Sequence, residues 1–269
     1  MTSRDKTPKP NIVSVTNQKG GVGKTTTVLN LATAVAASGY TVLIIDLDPQ
    51  GNASTGIDIP REGRSPGSYA MLTGYADFQS LIRPTQVPNL WIVPASQELA
   101  GAEIELAGER NREFKLKESL SSIEAFDYIM IDCPPSLGLL TLNALIASTS
   151  VMVPLQCEFF ALEGLSQLVQ TIEHVRQSLN PELKLNGIVL TMHDRRNNLS
   201  ELVAADARSF FGTRVYDTVI PRNVRVSEAP SHGKPVMIYD VRSPGAQAYG
   251  RLAAEFLRRV AATQKRGHA

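Results

Sequence analysis

The segment Asn17-Gln18-Lys19-Gly20-Gly21-Val22-Gly23-Lys24-Thr25-Thr26-Thr27 follows a short apolar run, Ile12 to Val15, and opens a helical pattern that continues to Ser38. A glycine-rich turn between a strand and a helix aims successive backbone N–H groups at one spot, and the helix N-terminus adds partial positive charge there. Such a turn is a cradle for phosphate. In it Lys24 would reach the β- and γ-phosphates and the Thr25 hydroxyl would ligate Mg²⁺, with Gly20, Gly21, Val22, Gly23 and Thr26 completing the nucleotide-binding loop. A strict P-loop places glycine six positions before its lysine, where this chain has Gln18, and a second lysine, Lys19, stands inside the loop.

The rest of the chain supplies the fold that such a turn needs. Apolar, β-branched runs recur at Thr41 to Ile45, Leu90 to Val93, Tyr128 to Ile131, Ser150 to Pro154, Gly187 to Thr191 and Thr218 to Ile220. Helical patterns lie between or after them, at Leu137 to Ala147, Ala161 to Leu179, Leu199 to Phe211 and Pro244 to Thr263. Strands that read as continuously apolar belong to a sheet covered by helices on both faces. The rhythm predicts an α/β fold with a doubly wound, mostly parallel sheet. Residues 55 to 85 interrupt it with Gly, Pro, Ser and Arg and read as a loop-rich insertion with short helices. The expected organisation is a single domain over 11–264, flanked by flexible termini at 1–10 and 265–269.

Ligands of open α/β sheets gather beyond the carboxyl ends of the strands, so the residues there carry the chemistry. The second run ends in Asp46-Leu47-Asp48-Pro49-Gln50-Gly51-Asn52. Asp46 and Asp48 share one face of an extended segment, and carboxylates beside a phosphate site can serve a metal's water shell and position a water nucleophile. The fourth ends in Asp132-Cys133-Pro134-Pro135-Ser136. A carboxylate directly after a buried strand is costly without a partner, and Mg²⁺ held through water would be one.

These motifs resemble the deviant Walker-A ATPases of the ParA/MinD family. Pro221 to Pro235, Leu142-Asn143-Ala144-Leu145 and Phe160-Ala161-Leu162-Glu163-Gly164-Leu165 look like its chromosomal ParA (Soj) branch, and the resemblance spans Asn11 to about Val260. It implies a P-loop NTPase with ATP and Mg²⁺ as cofactors and catalysis by Lys19, Lys24 and Asp48. Lys19 would be the signature lysine that crosses a homodimer to the partner's nucleotide, and Asp48 would orient the attacking water. Asp46 would support the magnesium shell, and Pro221 and Asn223 would line the adenine pocket. ATP would close a sandwich dimer that binds double-stranded DNA non-specifically. A ParB-like centromere-binding protein would then stimulate slow hydrolysis and release.

Charge along the chain bears on the DNA expectation. The whole sequence carries 27 Lys+Arg against 26 Asp+Glu, a net +1 that taken alone speaks against a nucleic-acid binder. Residues 1–194 hold 14 cations against 20 acids, and residues 195–269 hold 13 against 6. An acidic body of −6 is thus joined to a basic third of +7, which includes Arg195, Arg196, Arg222 and Arg225. Clustered cations suit sequence-independent contacts to a phosphate backbone. Residues matching Arg196 and Arg225 belong to the family's DNA-binding surface, and no helix-turn-helix is evident.

Other classes fit less well. Two cysteines, Cys133 and Cys157, exclude a disulfide-rich scaffold and read as buried thiols. No apolar run approaches the ~20 residues of a membrane span, so a cytoplasmic, nucleoid-associated protein is expected. Leu252, Phe256 and Val260 read as the docked face of a C-terminal helix. A MinD-like membrane ATPase, whose basic amphipathic end would bind lipid, is the alternative. A metabolic P-loop enzyme of the same fold is a third.

Overall fold

The computed structural model describes residues 9–158 and 161–267. Most of the N-terminal stretch expected to be flexible, residues 268–269, and Phe160 lie outside the described residues. Among the described residues seven strands form one sheet: β1 (Asn11–Val15), β2 (Val42–Asp46), β3 (Arg83–Pro84), β4 (Leu90–Val93), β5 (Tyr128–Asp132), β6 (Ser150–Gln156) and β7 (Lys184–Thr191). The helices follow in chain order. They are α1 (Lys24–Ala37), α2 (Asn52–Gly56), α3 (Ser68–Thr73), α4 (Phe78–Leu81), α5 (Leu99–Glu105), α6 (Lys115–Leu120), α7 (Leu139–Ala147), α8 (Ala161–Ser178), α9 (Asn198–Phe211), α10 (Val224–Glu228), α11 (Val236–Tyr239) and α12 (Pro244–Gly267).

The sheet runs β3-β4-β2-β5-β1-β6-β7 and is parallel except for β3, which pairs antiparallel with β4 at the edge. Alternate strand residues point to opposite faces. Val42 and Ile44 of β2 and Met130 of β5 pack with Leu31 and Val35 of α1 and Leu252 and Phe256 of α12. Leu43 and Ile45 of β2 and Ile129 and Ile131 of β5 face the other way, onto Leu72, Leu99, Leu116 and Leu140 of α3, α5, α6 and α7. On that second face, β6 and β7 are covered by α8 and α9. Burial on both faces is why these strands read as continuously apolar.

Register decides what meets at the carboxyl edge. Asp46 is the Cα partner of Asp132 across β2 and β5, and Val15 is the partner of Asp132 across β1 and β5. The turn after β1 and both acidic strand ends therefore lie side by side.

Three local expectations change. The run Thr218 to Ile220 forms no strand; it follows β7 with isolated bridges at Val215 and Pro221. The amides of Asp217 and Thr218 donate to the buried Glu255 carboxylate at 2.9 Å each, which takes them out of a ladder. The two-residue β3 contains Pro84, which only an edge strand tolerates. Helix α12 continues to Gly267, past residue 264, because Ala261 to Arg266 contain neither glycine nor proline.

Candidate functional site

The turn between β1 and α1 is shaped by its glycines. Gly21 and Gly23 hold φ at 75° and 89°, in the left-handed region that other residues adopt at a cost. Asn17, itself buried, braces the turn: its amide donates to Pro154 O at 2.8 Å and its Oδ1 accepts from Lys19 N at 3.0 Å. On the far side, Thr191 Oγ1 donates to Val22 O at 2.8 Å, tying the end of β7 to the turn.

Lys24 is 7% exposed, and its ammonium donates to the Lys19 carbonyl at 3.2 Å. Burial lowers its pKa, and the nearby Asp132 and Asp48 offset part of that shift. A cation drawn into a loop of aligned amides, with a carbonyl as its one direct partner among the described residues, is poised for an anion.

The acidic strand ends differ from each other. Asp46 is fully buried, and both its oxygens are engaged. Oδ2 accepts from Ser54 N at 2.8 Å and Ser54 Oγ at 2.7 Å, and Oδ1 from Asp48 N at 3.2 Å. Burial raises its pKa to about 6 against those hydrogen bonds. Asp46 is thus the anchor of the turn that carries Asp48, and any share in a metal's water shell comes on top of that.

Asp132 is fully buried too, but among the described residues neither oxygen has a hydrogen-bond partner. Burial, then the proximity of Asp46, push its pKa well above the ordinary range, with Thr25 and Lys24 pulling the other way. An orphaned buried carboxylate beside a threonine hydroxyl and a phosphate cradle fits a hydrated divalent cation. Among the described residues no group of three or more His, Cys, Asp or Glu side chains could hold a metal ion, so the remaining ligands would be phosphates and water.

The turn after Asp48 is held by an arginine that the sequence pattern hides in its loop-rich insertion. Arg64 is 7% exposed and donates to the carbonyls of Ile59 and Gly51 and to Thr55 Oγ1. Gly51 sits at φ 64°, and a Cβ there would lie 2.6 Å from Arg64 Nη1, so this position needs glycine. Ser54, Asn17 and Arg64 carry no motif signature; only their burial beside the site identifies them.

Pro221 and Asn223 are half-buried and follow the bridge between His193 and Pro221. Asn223 Oδ1 is a buried acceptor without a partner among the described residues. Met192, at φ 51°, and Thr191 pack about 3.9 Å from where a Cβ on Gly23 would stand. The loop after β7 therefore lies against the phosphate turn, and the segment at Pro221 is joined to that loop through His193.

The expected DNA-binding arginines are all exposed. Arg196 makes a bidentate pair with Asp194, through Nε at 3.0 Å and Nη2 at 2.9 Å, which holds the Asp194 pKa down at about 2. Arg225 pairs with Glu228 at 3.0 Å and with Asp240 at 3.6 Å. Arg222 adds to the field on Asp194, so Arg196 and Arg222 share one neighbourhood. Lys19 is likewise exposed, with its ammonium 2.6 Å from Glu158 Oε2.

The apolar face of α12 is buried, with Leu252 and Phe256 at 0% and Val260 at 8%. Among the described residues no helix is long and apolar enough to cross a membrane. Cys133 and Cys157 are both buried free thiols, and burial pushes the Cys157 pKa up to about 11.

Comparison with known proteins places this geometry. The profile of a family described as an AAA domain matches residues 10–185. The chain is 56% identical over 251 residues to the chromosome partitioning protein ParA of Caulobacter vibrioides, covering 92% of this chain and 94% of that one. It is 53% identical over 245 residues to the sporulation initiation inhibitor protein Soj of Bacillus subtilis, covering 91% and 97%. Among solved structures, cobyrinic acid a,c-diamide synthase from Mycobacterium smegmatis with bound ADP and magnesium superposes with a TM-score of 0.82 at 37% identity, covering 93% of this chain and 94% of that one.

Proposed function

Because the chain belongs to the ParA/Soj family of P-loop ATPases, we propose that it is an ATP-driven DNA-segregation switch. The observation that supports this most is the convergence of Lys24, Asp48 and Asp132 at one sheet edge. It occurs in a chain that matches a chromosome partitioning protein over 92% of its length.

The amides of Gly20 to Gly23 and the Lys24 ammonium bind the β- and γ-phosphates of ATP, Lys24 exchanging the Lys19 carbonyl for phosphate oxygens. Thr25, and Asp132 through water, would hold Mg²⁺. When bound, Mg²⁺ neutralises charge that builds on the phosphates during transfer. Asp48 orients the attacking water, and Asp46 keeps the Asp48 turn in place through Ser54. Pro221 and Asn223 line the adenine.

Lys19 acts across a homodimer on the partner's nucleotide, so ATP is what joins two copies. Arg195, Arg196, Arg222 and Arg225 contact the phosphate backbone of duplex DNA without reading bases. Each added phosphate contact deepens the salt dependence and raises affinity, so doubling the basic face on dimerisation turns a weak binder into a firm one. A ParB-like centromere-binding partner accelerates an otherwise slow hydrolysis and frees the DNA. Function at the nucleoid in the cytoplasm follows from these partners.

Turnover of ATP, measured with duplex DNA and a ParB-like partner added singly and together, tests the proposal. Stimulation should be greatest with both. Turnover that rises with a small-molecule acceptor instead would favour a metabolic enzyme, and ATP-dependent flotation with lipid vesicles would favour a membrane ATPase.

A further inference from the structure

Lys19 is held at both ends. Its N–H donates to Asn17 Oδ1 at 3.0 Å, and its carbonyl accepts from the Lys24 ammonium at 3.2 Å. Its own ammonium lies 2.6 Å from Glu158 Oε2 in the same chain. Glu158 is steadied in turn, since its other oxygen accepts from the Gln156 side-chain amide. The lysine thus has a fixed root and a tethered tip, and the tether joins the phosphate turn to the segment just after β6.

The function proposed above needs that tip elsewhere. An ammonium held against a carboxylate of its own chain has to be drawn off that carboxylate to reach a phosphate in another chain. Resting on that reading of Lys19 as acting in trans, we propose that Glu158 is a positioning residue that retains Lys19 within its own chain and so opposes ATP-driven pairing. Two such ion pairs open for every dimer that closes. Both side chains are 46% exposed, and pairs of this kind shift an equilibrium by roughly 1.4- to 5-fold each. Acting twice per dimer, the brake amounts to roughly 2- to 25-fold in the dimer constant. It is exposed, so salt weakens it. The competition sets a threshold: phosphate in the partner site has to outbid Glu158 before two copies close.

Sedimentation of the full chain with Mg²⁺ and a slowly hydrolysed ATP analogue, over a series of protein concentrations, tests this. Glu158→Gln and Glu158→Ala should both pair at protein concentrations roughly 2- to 25-fold lower than wild type. The advantage should shrink at about 0.5 M salt, where the Debye length is only a few ångströms. Glu158→Asp, which keeps the charge, should recover part of the wild-type constant. In a Lys19→Ala background, Glu158→Gln should leave monomer affinity for the analogue unchanged, whereas a merely structural role for Glu158 would lower it. Variants that pair no more readily than wild type, or less readily, would overturn the proposal. If wild type does not pair with the analogue, or Lys19→Ala pairs as well as wild type, the in-trans reading beneath it falls instead.

Discussion

At the nucleotide edge, Lys24, Asp46 and Asp132 are buried and burial shifts their pKa values, whereas Arg196 and Arg225 on the basic third stand in solvent against carboxylates. The first region concentrates a few charges in a medium of low polarity, where each interacts strongly; Asp46 has its partners within the chain, whereas Asp132 depends on a ligand for one. The second spreads many charges over a surface where each is screened and contributes little alone. The contrast predicts how each region responds to change: steeply and all-or-none at the edge, gradually and with salt dependence on the basic face.

Substitutions that probe the edge should have the largest effects. Asp48→Ala should lower turnover by about 100- to 10,000-fold, the range of a positioned acid–base group, while ATP and DNA still bind and the dimer persists. Single-turnover kinetics with DNA retention in parallel would check this. Lys24→Ala should cost about 100- to 1000-fold in turnover and also weaken nucleotide binding, read by fluorescence of a labelled nucleotide. If either variant proved mild, the edge would not be the strongly coupled site described above.

Asp132→Asn should separate stability from ligand binding. The folded chain without nucleotide holds the Asp132 proton more tightly than an unfolded carboxyl with a pKa near 3.8 does. Its contribution to stability is therefore present at low pH and is lost as pH rises through the higher folded-state value. Asparagine has no proton to lose, so without nucleotide the variant should be the more stable protein. The gap should widen as pH rises above about 4, reaching about 1–3 kcal/mol by thermal denaturation. Affinity for magnesium nucleotide should fall about 10- to 100-fold by titration calorimetry.

The basic face should respond more gently. Arg196→Glu should leave basal ATP turnover in place, weaken DNA binding about tenfold and flatten the log–log salt slope by about two for the dimer, one phosphate per subunit. Loss of nucleotide binding instead would mean that the loop bearing Arg196 serves the edge. Asp194→Asn, which frees Arg196 from its bidentate partner, should tighten DNA binding by no more than about fivefold per subunit, about 25-fold for the dimer, measured by fluorescence anisotropy.

The same contrast explains what was legible in the sequence. The phosphate turn, Asp46 and Asp132 follow apolar runs directly, so the parallel strands and the carboxyl edge were readable from Ile12 to Val15, Thr41 to Ile45 and Tyr128 to Ile131, while the order of the strands in the sheet was not. Spacing along the chain carries such information because parallel register aligns successive strand ends. The supports were not legible. Arg64 braces Gly51 from a stretch whose Gly, Pro and Ser content reads as loop, and Ser54 reaches Asp46 from a helix of five residues. The run at Thr218 to Ile220 has the composition of a strand, yet a carboxylate 37 positions away takes the Thr218 amide. Among the exposed arginines, the pairs Arg196 with Asp194 and Arg225 with Glu228 are local in sequence, whereas Arg225 with Asp240 is distant and was hidden.

Binding of duplex DNA over a salt series, with an ATP analogue, with ADP and without nucleotide, probes both regions at once. Firm retention is predicted only with the ATP analogue, with a steep negative log–log slope and loss in Lys19→Ala. Equal retention in ADP, or undiminished retention by Lys19→Ala, would contradict an ATP-driven switch that works by pairing two basic faces.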